Sequence, residues 1–123
     1  MKNSLAVAAG GALGASLRAA IGTIMNGVPL ATFLVNVIGS ILLGYFYEHV
    51  KSNRLLSITA KKFIATGFFG SFTTFSTYSL DLFIFLRERL FFHALIYGGG
   101  SLIIGMIGVI LGVTIARKRR EMD

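Results

Sequence analysis

The chain has 123 residues, 54% of them apolar and only 14% charged, with a mean hydropathy of +0.77. A soluble domain carries about a quarter charged residues, so this composition reads as one integral membrane domain. The absence of cysteine excludes disulfides, thiolate metal sites and cysteine nucleophiles. The net charge of +7 does not read as nucleic-acid binding: Lys and Arg cluster at the ends of apolar runs, where they set membrane topology, and form no stripe with aromatic stacking platforms.

A membrane-spanning helix needs about 20 mostly apolar residues, and four segments meet that length. The first is expected over about residues 4–25. Its opening, MKNSLAVAAGGALGA, imitates a signal peptide, but the apolar stretch runs on past the small residues, interrupted only by Arg18, and reads as a helix. Gly10 and Gly14 stand four apart with Gly22 further along the ridge, the small-residue pattern through which helices approach closely in lipid. Arg18 is a charge within a span, which costs roughly 3 kcal/mol or more without water or a partner. Two roles fit it: a structural Arg tied to backbone carbonyls, or an Arg at the base of an aqueous vestibule that attracts anions. Asn26-Gly27-Val28-Pro29 is the turn that ends this helix.

The second span is expected over about residues 30–47, ending at Glu48-His49. Thr32, Asn36, Ser40 and Gly44 share one i, i+4 ridge. Asn36 is the deep member, and an amide in hydrocarbon must find a partner, either through an interhelical hydrogen bond or as a donor lining a polar track. Residues 51–62 read as an interfacial turn. The third span, about residues 64–86, holds GFFGSFTTFSTYS over residues 67–79, with Phe69, Phe72, Phe75 and Tyr78 at a spacing of three among Ser and Thr. Two glycines followed by clustered hydroxyls allow a membrane helix to break, because the hydroxyls satisfy the freed backbone groups; such backbone is tolerated at depth only where it is buried in protein or lines a cavity. Exposed carbonyls bind hard cations, hydroxyl and amide groups donate to anions, and the positive edges of aromatic rings also favour an anion. The stretch therefore reads as an ion site or pathway, the plainer alternative being a Ser/Thr-rich helix packed among others. The fourth span, about residues 94–116, sets Tyr97, Ser101 and Gly105 on one ridge and Gly108 and Gly112 in a G-x-x-x-G, and ends at RKRR over residues 117–120. The glycines point to tight packing in an oligomer.

Enzymatic readings find no support. His49 and His93 fall at helix ends; Glu48, Asp81, Glu88, Glu121 and Asp123 form no pair within a span; and no H-E-x-x-H, G-x-S-x-G or Walker motif occurs. With four spans, the N-terminus, the second connection and the C-terminus share one side. That side holds nine basic residues, Lys2, Lys51, Arg54, Lys61, Lys62 and the four from Arg117 to Arg120, against two, Arg87 and Arg89, on the other. This bias predicts cytoplasmic termini.

Three motifs then resemble one known family, the small bacterial fluoride channels called Fluc or CrcB. GGALGASLR, residues 10–18, is similar to the first-helix G-x-x-G-A-x-x-R of that family; TFLVNVIGS, residues 32–40, to its T-x-x-V-N-x-x-G; and GFFGSFTTFSTYS to its G-x-x-G-x-x-T-T-F-S-T-F-S signature, the most specific of the three. The resemblance covers nearly the whole chain. It implies an all-α membrane protein of four helices per subunit, the third broken near its middle, paired as an antiparallel dimer in the bacterial inner membrane. It implies passive export of cytoplasmic fluoride, which enters cells as the neutral acid and ionises inside. By position it implies Asn36 as the pore-lining amide, Phe75 and Tyr78 at the two pore phenylalanine positions, Ser76 and Thr77 as hydroxyls of the ion track, Tyr97 and Ser101 as its polar positions on the fourth helix, and Arg18 at the vestibule. The carbonyls of Gly70 and Thr73 would hold a structural Na⁺ shared between subunits. Two positions depart from the family: Tyr78 replaces a phenylalanine, and Gly105 stands where some members have Ser. The alternatives weighed are a small multidrug-type proton-coupled antiporter, against which the first helix lacks a carboxylate, and a non-conducting partner subunit.

A homodimer of antiparallel copies needs a chain that inserts both ways, and hence a weak Lys/Arg bias. The strong bias here predicts pairing with an oppositely oriented paralogue. A C-terminal topology reporter on this chain expressed alone should read almost wholly cytoplasmic; equal populations on the two sides would support a homodimer instead.

Overall fold

The computed structural model describes residues 1–52 and 56–122; residues 53–55, including the Arg54 counted above, and Asp123 lie outside the described residues. The elements are α1 (Lys2–Ile24), α2 (Pro29–Ser52), α3 (Ile58–Lys61), a π-helical segment (Lys62–Phe69), α4 (Gly70–Phe72), α5 (Phe75–Arg87) and α6 (Phe91–Met122), with no strand among the described residues. α1, α2 and α6 are long and apolar enough to cross a membrane. The stretch of residues 64–86 is divided among the π-helical segment, α4 and α5. α6 continues through RKRR to Met122: Arg, Lys and Glu are good helix formers, and cations suit a helix C-terminus.

α2 and α6 form the most extensive helix pair; α1 packs on the π-helical segment and α4, and α5 packs on α6. The α2–α6 pair is parallel, with Gly105 beside Ser40, Gly112 against Ile41 and Tyr45, and Arg117 on Glu48. No large side chain is fully buried among the described residues, and the buried apolar set is mostly small or aromatic: Ala31, Val35, Ala65, Phe69, Phe72, Tyr78, Ala94 and Ala116. Large apolar residues such as Leu13, Phe83, Ile103, Met106 and Ile110 face outward, as they do where the neighbour is lipid or another chain instead of water. Close approach of backbones takes the place of a thick side-chain core. The glycines expected to serve an oligomer do so inside the chain: a Cβ at Gly14 would meet the carbonyl of Phe68, and one at Gly112 the carbonyl of Ile41, whereas Gly22 has nothing within 4 Å.

One end of the bundle collects the basic residues. Thr59 Oγ1 donates to Asn3 Oδ1 at 2.9 Å, tying α3 to the start of α1. Glu48, only 5% exposed, receives Lys51 at 2.9 Å, Arg117 at 3.2 Å and Arg120 at 3.9 Å, tying the C-terminal ends of α2 and α6. Arg87 and Arg89 lie at the turn between α5 and α6.

Gly14→Ala and Gly112→Ala each force a methyl group into a backbone carbonyl and should destabilise the fold by at least the ~1–3 kcal/mol typical of overpacking. Gly22→Ala should be neutral or slightly stabilising, since it adds helix propensity in open space. Thermal unfolding in detergent compares the three.

Candidate functional site

The helical run over residues 62–87 is interrupted at two threonines. Thr73 closes α4 with an extended backbone (φ −74°, ψ 155°), and Thr74, also extended (φ −147°, ψ 126°), caps α5. Freed backbone groups in such a stretch need partners, and the chain provides several, locally and from two other helices. Thr74 Oγ1 accepts from the Thr77 N–H at 3.1 Å and lies 3.1 Å from Ser76 Oγ. Thr73 Oγ1 donates back to the Phe69 carbonyl at 2.9 Å. From α2, Asn36 clamps Thr74 on both sides: its Oδ1 accepts the Thr74 N–H at 2.7 Å, and its Nδ2 donates to the Thr74 carbonyl at 2.9 Å. From α1, Arg18 Nε donates to the Ser71 carbonyl at 3.1 Å.

These bonds redirect the helix's own donors. In a continuous helix the N–H of Thr74 would go to the carbonyl of Gly70, and that of Thr77 to the carbonyl of Thr73. Here they go to Asn36 Oδ1 and Thr74 Oγ1. The Gly70 and Thr73 carbonyls thus lose the donors a helix would supply, and Gly70 is exposed. Carbonyl oxygens of this kind are suitable ligands for a hard monovalent cation.

A cavity of about 380 Å³ opens beside the interruption, lined by Asn36, Ser40, Thr73, Phe75, Tyr78 and Ser101 among others. Asn36 spends one of its two amide N–H groups on Thr74, which leaves the second. The Ser101 hydroxyl is buried with no hydrogen-bond partner among the described residues. Phe75 is 74% exposed and lies 5.6 Å from the Tyr78 ring. Gly105 also lines this space; a side chain there would stand next to Ser40 Oγ, so α2 provides the hydroxyl that α6 lacks. On the other side of Thr74 lies a smaller cavity of about 130 Å³, lined by Arg18, Thr32, Thr74 and Thr77. Arg18 is therefore tied to a carbonyl and borders a cavity as well.

The phenol that sets Tyr78 apart does not point into open space. Its hydroxyl donates to the Gly98 carbonyl at 3.0 Å in a buried contact, and its ring stacks on Tyr97 with centroids 5.5 Å apart. Tyr97 does not line the cavity that holds Asn36 and Phe75; its hydroxyl donates to Asp81 Oδ2 at 2.9 Å, and it borders a third cavity of about 400 Å³ that Ser101 shares. The buried carboxylate of Asp81 has no role in the sequence reading. Its signal was available, three residues beyond Tyr78 within an apolar segment, but only the fold brings it to Tyr97. The structure thus brings Asn36, Phe75, Tyr78 and Ser101 together, sets Thr77 in the Arg18 cavity, and leaves Ser76 exposed beside the Thr74 cap.

Apolar helices packed around cavities that each carry a few polar groups define a small helical membrane protein of the channel or transporter kind. Residues 5–113 match the family described as CrcB-like protein, Camphor Resistance (CrcB). The chain belongs to this family. It is 41% identical over 117 residues to a fluoride-specific ion channel FluC of Prosthecochloris aestuarii, covering 92% of this chain and 91% of the relative. It is 39% identical to a protein of the same name from Oceanobacillus iheyensis, covering 94% and 92%, and 38% to one from Helicobacter pylori strain Shi470, covering 90% of each.

Asn36→Ala removes both hydrogen bonds to Thr74 and should cost about 2–4 kcal/mol, since two part-buried backbone groups lose their partners. The expected outcome is a lowered unfolding temperature in detergent together with faster backbone amide exchange at Thr74; an unchanged exchange rate there would show that Asn36 does not hold the interruption.

Proposed function

We propose that this chain is a subunit of a fluoride-selective channel that lets the anion leak passively out of the bacterial cytoplasm, a process with no enzymatic step. The observation that carries this reading is the convergence of Asn36, Phe75, Tyr78 and the unpartnered Ser101 hydroxyl on one cavity beside the interrupted backbone, in a chain whose relatives bear the name of fluoride-specific channels.

Moving a strongly hydrated anion through protein requires donors that replace its water. The second N–H of Asn36 and the Ser101 hydroxyl are donors at the cavity. The hydroxyls of Ser76 and Thr77 extend the polar track, Tyr97 contributes its ring while its hydroxyl is taken by Asp81, and the ring edges of Phe75 and Tyr78 add weak positive contacts. Because its hydroxyl is occupied by Gly98, Tyr78 acts here as a ring, much as phenylalanine would. Arg18, held by Ser71, puts a positive charge at the vestibule and draws anions in.

The open side of the cavity that holds Asn36 and Phe75 calls for a second chain, and we assign it to an antiparallel partner. In that arrangement the interruptions of two copies face each other, and the carbonyls of Gly70 and Thr73 from each would hold a structural Na⁺, whose charge offsets the repulsion among the clustered oxygens. The nine-to-two Lys/Arg distribution orients both termini to the cytoplasm and favours an oppositely oriented paralogue as the partner in the cell.

Liposomes loaded with fluoride and reconstituted with this chain, alone and with such a paralogue, test the reading. Fluoride, but not chloride, should escape rapidly as read by an ion-selective electrode. Phe75→Ile in both subunits should abolish or sharply cut the flux while the dimer stays intact. An unchanged flux in that variant removes Phe75 from the pathway, and no flux in either preparation sinks the channel reading.

A further inference from the structure

A groove of about 270 Å³ lies at the basic end of the bundle, away from the cavities described above. Its floor is apolar, built from Phe46, Tyr47 and Val50 on the last turns of α2, Ile58 on α3 and Ala65 of the π-helical segment; Lys61, Lys62 and Thr66 complete the lining. Three features of this groove belong together. First, it lies where the apolar part of α2 gives way to charge: Tyr47, 55% exposed, precedes Glu48 and Lys51 on the last turns of α2, and Ile58, 68% exposed, shares the groove with it, the level at which aromatic residues mark a membrane–water boundary. Second, the buried acid at this end, Glu48, is saturated. Glu48 takes Lys51, Arg117 and Arg120, and Lys61 and Lys62 make no ion pair among the described residues. Third, the two lysines border an apolar trough, so charge and hydrocarbon surface meet at one place.

We infer that this groove binds an anionic phospholipid of the membrane, with the phosphate held by Lys61 and Lys62 and an acyl chain lying over Phe46, Val50, Ile58 and Ala65. Lysine stems can cover apolar surface while their ammonium groups stay at the headgroup level, and basic residues next to a membrane attract anionic headgroups. A second copy of this chain is the poorer occupant. A two-fold contact presents the same patch from both sides, which would set Lys61 and Lys62 against their own replicas. A bound lipid would bridge α2 to α3 and the π-helical segment, bracing the run that leads into the interruption at Thr73 and Thr74. The site is independent of the permeant ion, because its test reads lipid and not flux.

The experiment is native mass spectrometry of the purified full chain in detergent, titrated with phosphatidylglycerol or phosphatidylcholine of matched acyl chains. Wild type should retain phosphatidylglycerol roughly thirtyfold better, the scale expected of two interfacial lysines. Lys61→Gln with Lys62→Gln should erase most of that preference. Lys118→Gln with Arg119→Gln, which removes the same charge from the same end, should preserve it. Thr66→Phe, a change at an exposed position that fills the trough and keeps both lysines, should weaken retention of both lipids. The proposal is overturned by equal retention of the two lipids in wild type, by an equal loss in the Lys118/Arg119 variant, which would mean diffuse attraction, or by a Thr66→Phe variant that keeps its lipid and changes only its oligomeric mass, which would give the groove to a second copy.

Discussion

Backbone amides at membrane depth have to find partners inside the protein, and at Thr74 one side chain meets that demand on both sides. Asn36 accepts from the Thr74 N–H and donates to its carbonyl. Much else follows from this contact. By taking the N–H that Gly70 would otherwise receive, Asn36 bares a carbonyl; with Thr74 Oγ1 capping Thr77, the carbonyl of Thr73 is bared too. Arg18 fastens the preceding turn through Ser71. The interruption is therefore held from α1 and α2 at once, which allows a stretch of non-helical backbone to persist with defined geometry where a frayed helix end would not.

The same economy governs the aromatic residues. Phe75, Tyr78, Tyr97 and Phe85 form a chain of ring contacts with centroid distances of 5.5–5.6 Å, and each phenol within it has a hydrogen-bond acceptor. Tyrosine at position 78 is compatible with an apolar ring surface because its one polar atom is taken up by the Gly98 carbonyl. Buried phenols ordinarily find such partners. Among the buried side-chain polar atoms of the described residues, the Ser101 hydroxyl is left without a partner, and it lies on the cavity that Asn36 also lines. A polar atom without a partner in an otherwise well-satisfied interior marks where a ligand or ion is expected.

Charge is spent on opposite tasks at the two levels of the chain. Within the membrane region Arg18 is held by a carbonyl and Asp81 by a phenol. At the basic end, Glu48 gathers three cations and draws together the ends of α2 and α6. That cluster works with the glycine contacts between the same two helices, where side-chain packing is thin. Exposed ion pairs contribute little to stability, but the acceptor here is buried, so losing its partners would leave an uncompensated charge.

Much was legible in the sequence because it is carried by composition and local pattern. Apolar run length marked four segments, three of which are single long helices, clustered Lys and Arg marked one end, and the glycine and hydroxyl pattern set residues 67–79 apart from the other apolar segments. Asn36 and Arg18 stood out as polar groups that needed partners. Who those partners are was not legible. That Asn36 meets Thr74, that Arg18 meets Ser71, that Tyr78 reaches Gly98 and that Asp81 holds Tyr97 are matters of contact between residues 16–53 positions apart. So is the use of Gly14 and Gly112 inside the chain, since the same small-residue spacing serves contacts within and between chains equally well. Periodicity is a property of each helix by itself and can be read along the chain. The choice of partner depends on how helices rotate and shift against one another, and the packed tertiary structure decides it.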